Sequence, residues 1–235
     1  MLLTCDSRNR YFSQDGSQLH AGKSKAPLCL MPLGGSITYG SGSSHGNGYR
    51  ELLRDMLVSD GHEVQMVGSR KSGSMKNGSH EGWRGFRIDQ ICQKAKCSVT
   101  KSLPNLFTVN AGSNDCIQDF DLGNVGKRMG EMIEYLWKAS PNSTVLLSTL
   151  LVTADTAVAP RVLHVNEQLR VLAEQSAAEG KRIVFVEMHG PDGPELGDLV
   201  DGTHPCDAGY QKMATIWHRG VQEAESKGWL SGKPL

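Results

Sequence analysis

From Pro27 onward the chain alternates short apolar runs with longer stripes of apolar residues at three- and four-residue spacing, and no other feature restricts its folding as much. Residues 27–33, 63–67, 105–110, 144–152 and 182–187 read as strands. Between and after them lie five helical stripes. They are Tyr49, Leu52, Leu53, Met56 and Leu57; Ile88, Ile91, Cys92, Ala95 and Val99; Val125, Met129, Met132, Ile133 and Leu136; Val162, Val165, Leu169 and Leu172; and Tyr210, Met213, Ala214, Trp217 and Val221. Such alternation predicts an α/β fold, a three-layer α/β/α sandwich with a five-stranded parallel sheet. Residues 1–26 are polar and aperiodic and read as an irregular arm, leaving 27–235 as a single domain. The Gly- and Ser-rich stretch 69–82 reads as a loop.

Charge and hydropathy exclude several function classes. Lys plus Arg and Asp plus Glu number 25 each, so the chain lacks the basic footprint of a nucleic-acid binder. No apolar run approaches the ~20 residues that span a bilayer, and no membrane partner is expected. The first thirty residues include Asp6, Arg8, Arg10, Asp15 and Lys23, and they lack the apolar stretch of about 7 residues that a secretory signal needs. No signal peptide is read there: the chain works inside the cell, or is exported with its signal already removed.

In a parallel sheet the ligand crevice lies beyond the carboxyl ends of the strands. Gly34-Gly35-Ser36-Ile37-Thr38 follows the first expected strand and Gly112-Ser113-Asn114-Asp115 the third. Asp201-Gly202-Thr203-His204-Pro205 comes after the fifth. A serine hydroxyl becomes a nucleophile only when a base takes its proton, and His204 can be that base for Ser36. Asp201 can hold the other ring nitrogen and stabilise the imidazolium. The Asn114 amide and nearby backbone N–H groups can donate to a tetrahedral oxyanion. Other motifs are missing. No Gly-x-Ser-x-Gly elbow, complete phosphate loop or dinucleotide fingerprint occurs. The eight histidines show no metal spacing, so neither metal nor cofactor is expected. Asn47, just ahead of the Tyr49 stripe, reads as a helix cap.

Over residues 27–221, these motifs together resemble the SGNH hydrolases of the GDSL esterase/lipase superfamily. Within it the chain is most similar to the third carbohydrate esterase family, which includes acetylxylan esterases. His80-Glu81-Gly82-Trp83-Arg84-Gly85 matches the second block of that pattern. The resemblance implies the flavodoxin-like fold of that superfamily. It also implies Ser36 as nucleophile, His204 as base and Asp201 as its orienting partner. The oxyanion hole is then formed by the N–H groups of Ser36 and Gly85 and the Asn114 side chain. Gly82 is the alternative oxyanion glycine, and Trp83 a candidate substrate contact. A small-molecule or carbohydrate ester, acetylated foremost, is the implied substrate; a lipase or thioesterase, or a small-metabolite deacetylase or acyltransferase, is the alternative on the same scaffold. The sequence departs from the family at Gly35, where Asp is usual.

Cys116 follows Asn114-Asp115, and Cys206 follows His204-Pro205. If Asn114 and His204 converge on one carbonyl, adjacent loops bring these cysteines near each other, and a disulfide between them is expected.

Overall fold

The computed structural model describes residues 25–230; the expected arm, except for its last two residues, lies outside the described residues. Strands β1 (Leu28–Gly34), β2 (Val64–Met66), β3 (Arg70–Lys71), β4 (Ser79–Gly82), β5 (Leu106–Asn110), β6 (Thr144–Ser148) and β7 (Ile183–Val186) form one sheet. Their spatial order is β3-β4-β1-β5-β6-β7, with β2 also paired to β1. The pairings of β1 with β2, β4 and β5, of β5 with β6 and of β6 with β7 are parallel; β3 and β4 run antiparallel.

The five expected strands are present, and the sheet gains two from the stretch read as a loop. That stretch hides them because strands of two and four residues are too short to show a period of two. Tertiary pairing supplies what pattern does not. The edge of β1 is shared: Leu28 to Leu30 pair with β2, and then Leu33 and Gly34 pair with Glu81 and Gly82 of β4. Strand β6 also ends at Ser148, sooner than its apolar run suggests. Beyond it the Asn166 side chain accepts from the Leu150 N–H (2.7 Å) and donates to the Leu150 carbonyl (3.2 Å), taking the place of a ladder partner.

Alternate residues of the central strands feed two cores. Met31, Leu33, Phe107, Val109, Val145 and Leu147 pack beneath α3 (Ile88–Ser102), α5 (Val125–Ala139) and α6 (Ala159–Ala178). Leu28, Leu30, Leu106, Leu146, Val184 and Val186 pack on the opposite face against α2 (Arg50–Ser59) and α7 (Asp207–Ser226). Strands buried on both faces explain why their sequences read as apolar runs rather than alternations. Two short helices, α1 (Ser36–Tyr39) and α4 (Ser113–Ile117), start directly after β1 and β5. The chain crosses closely there. A Cβ on Gly34 would lie 2.2 Å from the Asn110 carbonyl oxygen and 2.4 Å from Thr38 Oγ1, so only glycine fits that strand end.

Candidate active site

Strands β4, β1 and β5 are neighbours, so the loops leaving their carboxyl ends meet above the sheet. They bring Gly85, Ser36 and Asn114 to one cleft of about 420 Å³, and His204 enters it from the loop ahead of α7. Ser36 opens α1. The Tyr210 hydroxyl of α7 fixes that helix by donating to the carbonyls of Ile37 (3.2 Å) and Ser41 (2.6 Å).

His204 Nε2 is 2.8 Å from Ser36 Oγ, and its Nδ1 is 2.7 Å from Asp201 Oδ2. The second Asp201 oxygen accepts from the N–H groups of Thr203 (3.0 Å) and His204 (2.8 Å). Partial burial alone would raise the Asp201 carboxyl; the hydrogen bonds from His204 and Thr203 outweigh it and hold the group below the usual carboxylate range. An ionised Asp201 against Nδ1–H leaves Nε2 with a lone pair facing Ser36, the tautomer that can accept the serine proton.

The cleft also holds a set of donors. Asn114 Nδ2 donates to the Phe86 carbonyl at 3.0 Å, which orients the amide and leaves its second N–H free. Among the described residues the backbone N–H groups of Ser36 and Gly85 have no acceptor. The two candidate glycines of the second block differ. Gly82 lies within β4 and its N–H donates to His80 Nδ1 at 2.9 Å. Gly85 lines the cleft, at φ +78° with open space where a Cβ would stand. Gly35, the departure from the family pattern, sits where a Cβ would approach Asn114 Nδ2 to 3.2 Å. An acidic side chain there would be built against the donor amide.

Trp83 does not line this cleft. Its ring packs on Phe86 at 5.5 Å and its indole N–H donates to Glu81 Oε2 at 2.8 Å. Asn47 does not cap α2. Its side chain donates to Glu51 (2.6 Å) and Ser74 (3.1 Å) and accepts from the Met75 N–H (3.0 Å), tying the loop after α1 to the one ahead of β4. Asp115 is an anchor: it accepts from the Ile88 N–H at 3.2 Å and pairs with Arg128 at 2.5 Å, fixing α4 between α3 and α5. Burial raises its carboxyl, with Arg128 opposing.

The expected Cys116–Cys206 bridge is absent; both are free thiols. Two positions along a helix turn a side chain by about 200°. With Asn114 at the cleft, Cys116 therefore points into the core, where it is fully buried. Burial, helped by nearby Asp115, pushes its thiol up to about 12. Cys206 stands just ahead of α7, where its side chain makes no capping hydrogen bond.

Sequence reading did not single out Arg50. Its fully buried guanidinium donates to the carbonyls of Gly78 (2.9 Å), Tyr39 (3.1 Å), Gly46 (2.9 Å) and Ser72 (3.2 Å). It thus gathers the loops flanking α1 and β4. The available signal was spacing: Arg50 shares the core-facing stripe with Leu53 and Leu57. His80 completes this cluster. Its Nδ1 accepts from Gly82 and its Nε2 donates to Ser72 Oγ at 2.8 Å. Burial, reinforced by Arg50 and Arg70, lowers it to about 3.

Comparison with known proteins gives the family and the fold. The model of the GDSL-like lipase/acylhydrolase family matches residues 33–212, and the chain belongs to that family. A multidomain esterase of Ruminococcus flavefaciens is 25% identical over 222 residues, covering 82% of this chain. The chain spans only 28% of that relative's length. Two solved structures share the fold. A family 3 carbohydrate esterase of Clostridium thermocellum is 24% identical with a TM-score of 0.76, covering 86% of this chain and 98% of its own. A family 3 carbohydrate esterase from Talaromyces cellulolyticus is 21% identical with a TM-score of 0.72, covering 85% and 99%.

Proposed function

We propose that this member of the GDSL-like lipase/acylhydrolase family hydrolyses short-chain acyl esters, acetyl foremost, of carbohydrate hydroxyls through an acyl-Ser36 intermediate. The observation that carries the reading is the relay Ser36 Oγ–His204–Asp201, at 2.8 and 2.7 Å, opening onto a cleft that also holds free donors. Residues 27–235 act as one hydrolase domain in this reading.

In the first half-reaction His204 Nε2 takes the Ser36 proton as Oγ attacks the ester carbonyl. The carbonyl π electrons move onto oxygen. The N–H groups of Ser36 and Gly85 and the Asn114 amide stabilise that oxyanion, whose charge exists only beyond the ground state. Collapse breaks the bond to the alkoxide, which leaves with the proton from His204. In the second half-reaction His204 deprotonates water, hydroxide attacks the acyl carbon, and Ser36 recovers its proton as the carboxylic acid departs. Asp201 stays ionised throughout and offsets the imidazolium charge. The acetyl and carbohydrate preferences are supported by likeness to the named esterases.

The test is turnover of aryl esters of increasing acyl length together with acetylated xylan and acetylated monosaccharides. Acetyl or butyryl esters are expected to be fastest, with sharp decline beyond, and Ser36→Ala is expected to abolish turnover while keeping the fold. A rate that rises with chain length would instead place the protein among lipases or thioesterases on this scaffold. Full activity of Ser36→Ala would remove the acyl-serine route.

A further inference from the structure

The loop that carries Gly85 also begins a line of cations that acyl transfer does not use. Arg84 lines the cleft, and its guanidinium lies 5.6 Å from the centroid of the Tyr39 ring. Arg70, from β3, lies over the same ring at 5.9 Å and over the Trp83 ring at 4.6 Å. Lys94, on α3, lies over Trp83 at 5.2 Å. Cations and aromatic rings thus alternate over five residues, starting at the cleft.

These cations differ from the others nearby. Arg87, Arg128 and Arg161 each pair with an aspartate. Arg70, Arg84 and Lys94 form no ion pair with any described carboxylate. An acid beside the line is Glu81, which is fully buried beneath Trp83. Its oxygens are already taken by the Ser69 N–H, the Ser98 hydroxyl and the Trp83 indole N–H. No carboxylate lines the cleft itself, and Asp201 behind it is committed to His204. The result is positive charge without an ion-pair partner beside the cleft, resting on ring faces.

We propose that this line is a subsite for the carboxylates of an acidic sugar, so that the acyl ester presented to Ser36 is carried by a uronic-acid-containing carbohydrate. The proposal rests on the hydrolase reading above and names its substrate class. A guanidinium matches a carboxylate through two parallel hydrogen bonds. Cation–π contacts at exposed sites are weak, so Arg84 and Arg70 can turn to an anion at little cost. Doing so uncovers the Tyr39 and Trp83 faces, which can stack on the apolar face of a pyranose. The substrate contact expected of Trp83 thus falls outside the cleft, on this flank.

The deciding comparison uses a matched pair, an acetylated methyl glucuronoside and the correspondingly acetylated methyl glucoside, which differ only at C6. At low salt the wild-type kcat/KM is expected to favour the uronate by about five- to tenfold, the size of a single exposed charge contact. The preference should lie in KM and shrink in about 0.5 M salt, where charges are screened within a few ångströms. In the Arg70→Gln/Arg84→Gln double variant the ratio should approach one, while Arg84→Lys retains part of it. A wild-type ratio of one, or a ratio that survives the double substitution, overturns the subsite and leaves the hydrolase standing. If neither ester is turned over, the hydrolase reading fails instead. The subsite is then decided by titrating glucuronate and glucose separately against the protein. The guanidinium NMR signals of Arg70 and Arg84 should move with glucuronate alone, and equal or absent shifts would overturn it.

Discussion

Replacing Asp201 with Asn probes the base without disturbing its surroundings. The side chain is half exposed, so the change should cost little stability. Its orientation is nevertheless fixed, because one oxygen accepts two backbone N–H groups, from Thr203 and His204. An asparagine keeps both bonds only by placing its amide oxygen there. Its NH₂ then faces His204 Nδ1, which must accept, and Nε2 becomes the protonated nitrogen pointing at Ser36. Flipping the amide restores the productive tautomer but loses two hydrogen bonds of about 1 kcal/mol each, so the wrong tautomer leads by about 2 kcal/mol. The imidazolium also loses a carboxylate partner at 2.7 Å. In serine-hydrolase triads the equivalent swap lowers kcat by about 10⁴, or roughly 5 kcal/mol. About 3 kcal/mol of that therefore belongs to the lost charge. Steady-state hydrolysis of an aryl acetate, with Tm by calorimetry, is the assay. A kcat within about tenfold of wild type would refute the role assigned to Asp201. A large fall in Tm would show that the carboxylate is structural.

Asn114→Ala is expected to lower kcat by about 10²–10³ with KM little changed, because the amide serves charge that develops after binding; an effect confined to KM would contradict the oxyanion role. Arg128→Met leaves the Asp115 carboxyl buried without its partner, so urea unfolding should show a loss of about 3 kcal/mol. His80 is held below its ordinary value of 6.5, near 3. Its contribution to stability is therefore present above about 6.5 and is lost as pH falls toward 3, since only the unfolded chain takes up the proton in that window. His80 should add up to about 1.4 kcal/mol per pH unit to the slope, so the His80→Gln slope should be smaller by that amount, as followed by urea midpoints across that range. Thiol titration of unfolded, unreduced protein should find at least the five free cysteines seen here; fewer would revive a bridge.

Sequence by itself determined the layered fold, since each long strand and helix carries its own period, set by local geometry and the need to bury one face or both. It also named Ser36, Asn114, Asp201 and His204, because strand-end loops must supply the chemistry in a parallel sheet. Tertiary structure decided the rest. Strand β4 exists because β1 has edge left over for it, and β3 because β4 offers its far edge, which no pattern within 69–82 encodes. The difference between Gly82 and Gly85 lies in where each N–H finds a partner, and His80 supplies that partner to only one. Cys116 and Cys206 adjoin site residues in sequence and yet remain unbridged, because a helix turns its second neighbour to the opposite face. The unpaired cations over Tyr39 and Trp83 come from β3, α3 and the loop after β4. Whether a charge has a partner depends on distances through space, and spacing along the chain does not contain them.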